Sequence, residues 1–218
     1  AAQLTAAQGD AWQDFLARRG AWTARWDEAT RVPTQLWGQG VDVDVDRLGD
    51  DVGAWDVGYA LLGEDAALHG VDLGDLQPWT IDRDAGMTVL TFARTHRGLP
   101  VVDARVSLRF KQGRFVMAQY NSMPGVEAQV HTIDPQLTKA DALAAAIQQL
   151  GWAVEETEPV DAALVVLPLL DASSVTYRLA WQVEVRSTVA PSHKLVWIDA
   201  RAGALLRWDE QVRHATGT

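Results

Sequence analysis

Five histidines, 29 acidic side chains and no cysteine are the groups with which this 218-residue chain could do chemistry. The histidines are His69, His96, His131, His193 and His214. None belongs to a His-Glu-x-x-His helix, the spacing that sets two imidazoles on one face over a zinc ion. His69 and His96 lie near glycines at expected element ends, where surface or capping roles outweigh ligation. No Gly-x-Ser-x-Gly elbow, phosphate loop or dinucleotide-binding glycine pattern occurs. The absence of cysteine removes disulfides, thiol nucleophiles and thiolate metal sites. Catalytic residues, cofactor-binding residues and metal ligands are therefore all expected to be none.

One acidic run invites a calcium reading. In Val41-Asp-Val-Asp-Val-Asp-Arg47, alternate carboxylates at Asp42, Asp44 and Asp46 open like an EF-hand loop. Arg47 then stands where that loop needs glycine, and Gly53 where it needs a bidentate glutamate. The preferred reading is a strand with Val41, Val43 and Val45 facing inward and the aspartates in solvent.

The elements that would position any site are clearest in the last third. Tyr177, Leu179, Trp181, Val183 and Val185 alternate with Thr176, Arg178, Gln182, Glu184 and Arg186, the period of a half-buried strand. A turn near Ala190-Pro191 precedes an apolar run from Leu195 to Ile198. Asp199 to Gly203 reads as a hairpin loop and Ala204 to Trp208 as a third strand. Upstream, Thr138 and Asp141 form an N-terminal capping signal, and Ala140, Leu143, Ala144, Ile147 and Leu150 recur at helical spacing before Gly151. One helix over a three-stranded meander is an α+β layer pair.

This stretch resembles the PepSY domain, found in propeptides of secreted thermolysin-like and fungalysin-like metalloproteases. The segments that carry the likeness are LTKADALAAAIQQLG, LAWQVEV and LVWIDARAGALLRWDE.

The chain repeats the plan earlier. Trp12, Phe15, Leu16 and Arg19 share a face of a short N-terminal helix. Trp22 to Trp26 and Pro33 to Trp37 read as a hairpin around Asp27-Glu-Ala-Thr30. Val52, Trp55, Tyr59, Leu62 and Ala66 predict a helix over about Ala54–His69, weakened by Gly53, Gly58 and Gly63. A linker through Pro78 leads to three strands: Met87 to Thr95, Val102 to Phe110 and Arg114 to Tyr120.

YALLGEDAALHGVDLGDL followed by VLTFARTHRGLPVVDARVSLRF resembles the fungalysin/thermolysin propeptide (FTP) domain, with its Gly98-Leu-Pro-Val101 turn present in full. A glutamine usual before that turn is missing, with Thr95 and His96 in the region. A connector from Met123 to Pro135 separates the two units.

The expected architecture is α+β: two units, each one helix on an antiparallel meander, behind an N-terminal helix and hairpin. The expected boundaries are 1–50 for the N-terminal segment, 51–125 for the FTP-like unit and 126–218 for the PepSY-like unit. The resemblance implies a cystatin-like shape for each. It implies a propeptide-like inhibitor and folding chaperone, itself non-catalytic, whose partner is a metalloprotease catalytic domain in cis or in trans. The implied location is secreted or periplasmic. Residues 213–218 read either as a junction into an enzyme or as a frayed end.

Composition fits these expectations. A net charge of −10 argues against nucleic acid or an anionic membrane as partner. No apolar run reaches the length of a membrane span, and no signal peptide is contained in the sequence, so an exported protein is expected to have had its signal removed. Ten tryptophans against four phenylalanines point first to packing within cores and on strand faces. Two other classes stay open: a free-standing secreted protease inhibitor, and an extracellular module binding peptide or cell wall.

Overall fold

The structure, a computed structural model, describes residues 6–211. The chain is α+β and divides into two compact units, 1–127 with 170–176, and 128–169 with 177–218. The expected tail at 213–218, with His214, lies outside the described residues, as do residues 1–5, where the expected N-terminal helix would begin.

Unit 1 begins with α1 (Ala6–Arg19), whose Trp12 and Phe15 rings stack 5.3 Å apart. Phe15 meets Trp22 edge-on at 5.4 Å, and Trp22 in turn packs 5.2 Å from Phe115. This run of rings fixes the helix to a hairpin, β1 (Trp22–Trp26) and β2 (Pro33–Asp42), and through it to the sheet. The Asp27 carboxylate closes the hairpin turn by accepting from the Thr30 amide and hydroxyl.

Two short acidic caps start the next helices. The Asp44 carboxylate accepts from the Asp46 and Arg47 amides to open α2 (Val45–Gly49), and Asp50 accepts from Gly53 to open α3 (Asp51–Glu64). The expected strand through Val45 therefore stops at Asp42. Val43 still reaches the core, but Val45 is exposed. The reason is local: a carboxylate one residue before a helical turn satisfies two amides that a strand would leave to a partner. The longer expected helix is split at Asp65 into α3 and α4 (Ala66–His69), the latter closed by Gly70. Along α3, Ala54, Val57, Gly58, Leu61 and Leu62 are buried at helical spacing.

Four strands follow: β3 (Leu76–Asp84), β4 (Met87–His96), β5 (Leu99–Lys111) and β6 (Arg114–Asn121). With the hairpin they form an antiparallel sheet in the order β1-β2-β6-β5-β4-β3. The β4–β5 turn places Arg97 at φ 51 and Gly98 at φ 83, the pair of left-handed residues that a two-residue hairpin twisted with its strands requires.

The linker expected through Pro78 is instead β3. Pro78 is tolerated because β3 pairs β4 on one side only, an edge position to which proline within a sheet is confined. The register jumps from Pro78 to Thr80, leaving Trp79 as a bulge.

Unit 2 contains α5 (Lys139–Leu150) and the strands β7 (Thr157–Leu170), β8 (Val175–Ser187), β9 (His193–Asp199) and β10 (Leu205–Glu210), in the order β7-β8-β9-β10. The expected capping box is present. Thr138 Oγ1 accepts from the Asp141 amide at 3.2 Å, and Asp141 Oδ2 accepts from the Thr138 amide at 3.0 Å. The Thr138 hydroxyl also donates to Asp141 Oδ2 at 2.7 Å, and this bond first, then that from the Thr138 amide, holds the Asp141 carboxyl below its usual range.

Ala142, Ala146 and Ile147 pack against Val183, Val185, Val196 and Ile198; Val183 and Val185 lie on the face that the alternation assigned, whereas α5 buries Ala142 and Ala146 and leaves the expected Ala140 and Ala144 exposed. Beyond the expected meander, β7 adds a fourth strand. Its Val165, Val166 and Leu167 are all buried in succession, so it carries no period of two.

Candidate functional site

Free sheet edges are the first feature with a recognition chemistry. Among the described strands, β1, β3 and β10 each pair on one side only. Two of them present a tryptophan about half exposed: Trp79 on β3 at 48% and Trp208 on β10 at 48%. Each ring lies under a cation, the Arg105 guanidinium 3.5 Å from the Trp79 centroid and Lys194 Nζ 3.9 Å from that of Trp208. The bulge at Trp79 takes its side chain out of the ladder register. At β10, Lys194 also lies 5.4 Å from the Trp152 ring. Such stacking holds a large apolar ring in a defined pose while leaving its outer face accessible.

A groove of about 530 Å³ opens elsewhere on unit 1, lined by Arg25, Trp26, Glu28, Thr34, Gln35 and Asp171 among others. Its lining is mostly polar, with Trp26 and Leu170 as the large apolar elements.

The end of β4 gathers the strongest cluster of ionisable groups. Arg94 is fully buried; its Nη1 donates to the carbonyls of Ser122 (2.9 Å) and Met123, and its Nη2 to Glu127 Oε1. Arg94 Nε has no partner. Ligand atoms of Asp75, His96 and Glu127 lie within 4.8 Å of one another, the one such set among the described residues. Two carboxylates and an imidazole have the chemistry to hold a borderline divalent cation. Here, however, the guanidinium of Arg94 already supplies positive charge to the same carboxylates. Burial raises the Asp75 carboxyl above its usual range, Arg94 pulls it down and Glu127 pushes it up. This arrangement is an ion-pair cluster that fastens three segments: the 3₁₀ turn Leu73–Asp75, the end of β4, and the 3₁₀ turn Val126–Ala128.

A second polar knot lies between α1 and α4. Asp65, 2% exposed, receives Arg19 Nη2 at 3.0 Å and Arg18 Nη2 at 3.1 Å. Burial nevertheless leaves its carboxyl above the ordinary value, the two arginines offsetting only part of the desolvation. Four residues on, His69 is wholly buried and stacked 5.6 Å from Tyr120. His69 Nε2 donates to the Leu62 carbonyl at 2.9 Å, and Nδ1 accepts from the Val71 amide at 3.3 Å.

Of the residues singled out in the sequence, Asp42, Asp44 and Asp46 do not converge on one point. Asp42 pairs with Arg114 at 2.9 Å and Asp44 caps α2. His69 and His96 are core residues rather than surface ones, at 0% and 4% exposure. His69 is stacked on Tyr120 of β6, and His96 ends β4 beside the also buried Arg94 and Thr95. His131 is exposed, and His193 Nε2 lies 2.7 Å from Glu184 Oε1.

Arg94, Asp75 and Glu127 were not singled out. One signal did exist: Arg94 and His96 continue the inward parity of Leu90 and Phe92, which places a cation at a core position.

No family model matches the chain, and no curated protein matches it. Among solved structures, the Bacillus megaterium YpeB C-terminal domain aligns with a TM-score of 0.41 and 10% identity, covering 98% of this chain and 100% of that one. A likeness at that score carries no argument about family or activity. No described helix is long and apolar enough to cross a membrane.

Proposed function

We propose that this chain is a propeptide-like, non-catalytic protein that binds the catalytic domain of a secreted zinc metalloprotease, in cis or in trans, and acts as its inhibitor and folding chaperone. The FTP and PepSY resemblances, and a cystatin-like form for each unit, belong to this reading. The observation that carries it is the half-exposed tryptophan held under a cation on a free edge strand in each unit. An extended segment of a partner can add to such an edge through main-chain hydrogen bonds. Tryptophan and arginine are also the side chains that most often dominate binding energy at interfaces.

The test is a titration of the purified chain against a thermolysin-like protease secreted with it, reading peptide hydrolysis and complex formation. Inhibition should saturate at one chain per enzyme. Trp79→Ala or Trp208→Ala should weaken it about thirtyfold, the scale of an interfacial hot spot. Absence of any complex at micromolar concentrations would remove this reading.

A second reading has one observation in its favour. The polar groove beside Trp26 suits a short peptide or a cell-wall saccharide, as in an extracellular binding module. Saturable binding of such a ligand, lost in Trp26→Ala and accompanied by no protease inhibition, would select it.

A further inference from the structure

The imidazole of His69 has both nitrogens committed. Nε2 carries the hydrogen that it gives to the Leu62 carbonyl, and Nδ1 must keep its lone pair to accept from the Val71 amide. Protonating Nδ1 sets one N–H against another inside a site with no exposure. The ring cannot turn away easily, because it lies flat against Tyr120, itself 2% exposed. Its surroundings are electrically mixed. Asp65, on the turn before α4, favours the charged ring, but Arg18 and Arg19 from α1 already occupy that carboxylate. Arg94, reaching in from β4, opposes a positive ring, and burial opposes it most.

The same residue holds a chain of further contacts. The His69 carbonyl accepts from Ser122 Oγ at 2.8 Å, and the Ser122 carbonyl accepts from Arg94. Arg94 then fastens Met123 and Glu127. Losing the His69 geometry therefore loosens α4, the start of the segment after β6 and the ion-pair cluster together. Unit 2 has no counterpart among its described residues. Its His131 is exposed, and its His193 is only half-buried, with Nε2 2.7 Å from the Glu184 carboxylate.

We propose that His69 is an acid-sensitive latch: its protonation unfastens α4 and residues 121–127, so that mild acid loosens unit 1 while unit 2 stays closed. A module that clasps a partner through both units would then release it on acidification; only this consequence rests on the protease-binding reading.

Hydrogen exchange on the whole chain, corrected for the intrinsic effect of pH, tests the latch without any partner. Between about pH 7 and about pH 5, the window in which histidine takes its proton, peptides covering 62–71 and 118–127 should exchange several-fold faster. Peptides covering β9 should not change. His69→Gln, whose amide can donate to Leu62 and accept from Val71 without titrating, should abolish the difference. Equal acceleration in both units, or a pH response surviving in His69→Gln, would overturn the proposal. Should that variant fold poorly, the wild-type imidazole resonances decide: titration of His69 at an ordinary value with no opening of unit 1 is equally fatal. A wild type that binds the protease but shows no acid-dependent opening of unit 1 counts against the latch alone.

Discussion

The ring of Phe92 occupies the place where a side chain on Gly58 would begin: a β-carbon built on Gly58 falls 2.7 Å from Phe92 Cζ. Trp55 and Tyr59, three residues before and one after, meet the same ring edge-on at 5.0 Å each. Helix α3 thus grips one phenylalanine of β4 between two aromatic rings over a glycine floor. The glycine that weakens the helix in isolation is what allows the helix to approach the sheet.

Replacing Gly58 with alanine should therefore destabilise the protein by about 1–3 kcal/mol, the usual scale of overpacking, despite the better helix propensity of alanine. Gly9, inside α1 with open space around it, is the control. Gly9→Ala should stabilise by about 0.5–1 kcal/mol. Urea midpoints of the two variants measure both, and the same sign for both would contradict the packing argument.

Arg19 and Asp65 form a pair in which both side chains are almost wholly buried. Arg19→Met should cost about 3 kcal/mol near neutral pH, because it leaves a carboxylate with Arg18 as its remaining guanidinium. The sign with pH follows from the raised carboxyl of Asp65. The folded state prefers the protonated acid, so its favourable contribution is full below the unfolded value of about 3.9 and is lost as pH rises through the folded value. The cost of Arg19→Met should shrink on acidification. The double variant Arg19→Met/Asp65→Leu should recover most of the loss at neutral pH, as measured by thermal unfolding.

His69 gives the opposite slope. Its folded value is depressed, chiefly by burial, so its contribution is full above about pH 6.5 and declines as pH falls from there toward the depressed folded value. The unfolding free energy of the wild type should fall between about pH 7 and pH 5, and that of His69→Phe should fall less steeply. The variant will be less stable throughout, since the Leu62 carbonyl and Val71 amide lose their partner.

The capping box of α5 offers a test confined to unit 2. Thr138→Ala removes the acceptor for the Asp141 amide and the hydroxyl donor to its carboxylate. Stability should drop by about 1 kcal/mol, and Thr138→Ser should restore nearly all of it. An unchanged denaturation midpoint would mean that packing of Ala142, Ala146 and Ile147 alone holds the helix end.

Local chemistry made much of this legible from the residues. The period of two in β8, the Thr138–Asp141 box and the Asp199 loop are each decided within a few residues, whereas the turn expected over Gly98–Val101 closes at Arg97-Gly98, with Leu99 already in β5. The sequence could be read there because the determining contacts are short-range. It could not be read at β3, whose edge position excuses Pro78, nor at β7, whose successive buried valines erase the alternation. At Val41 to Arg47, two rules met: strand alternation predicted one outcome and the Asp44 cap produced another.

The sequence by itself determined the α+β class, the strands with one wet face and the capped helix of unit 2. In each case, side-chain parity and capping act through neighbours along the chain. Tertiary structure alone decided that Arg94 lies buried beside Asp75, His96 and Glu127, that Phe92 needs a glycine opposite it, and that His69 is held neutral. Those outcomes depend on desolvation and close approach between segments far apart in sequence, and only the folded packing fixes which groups lose water together.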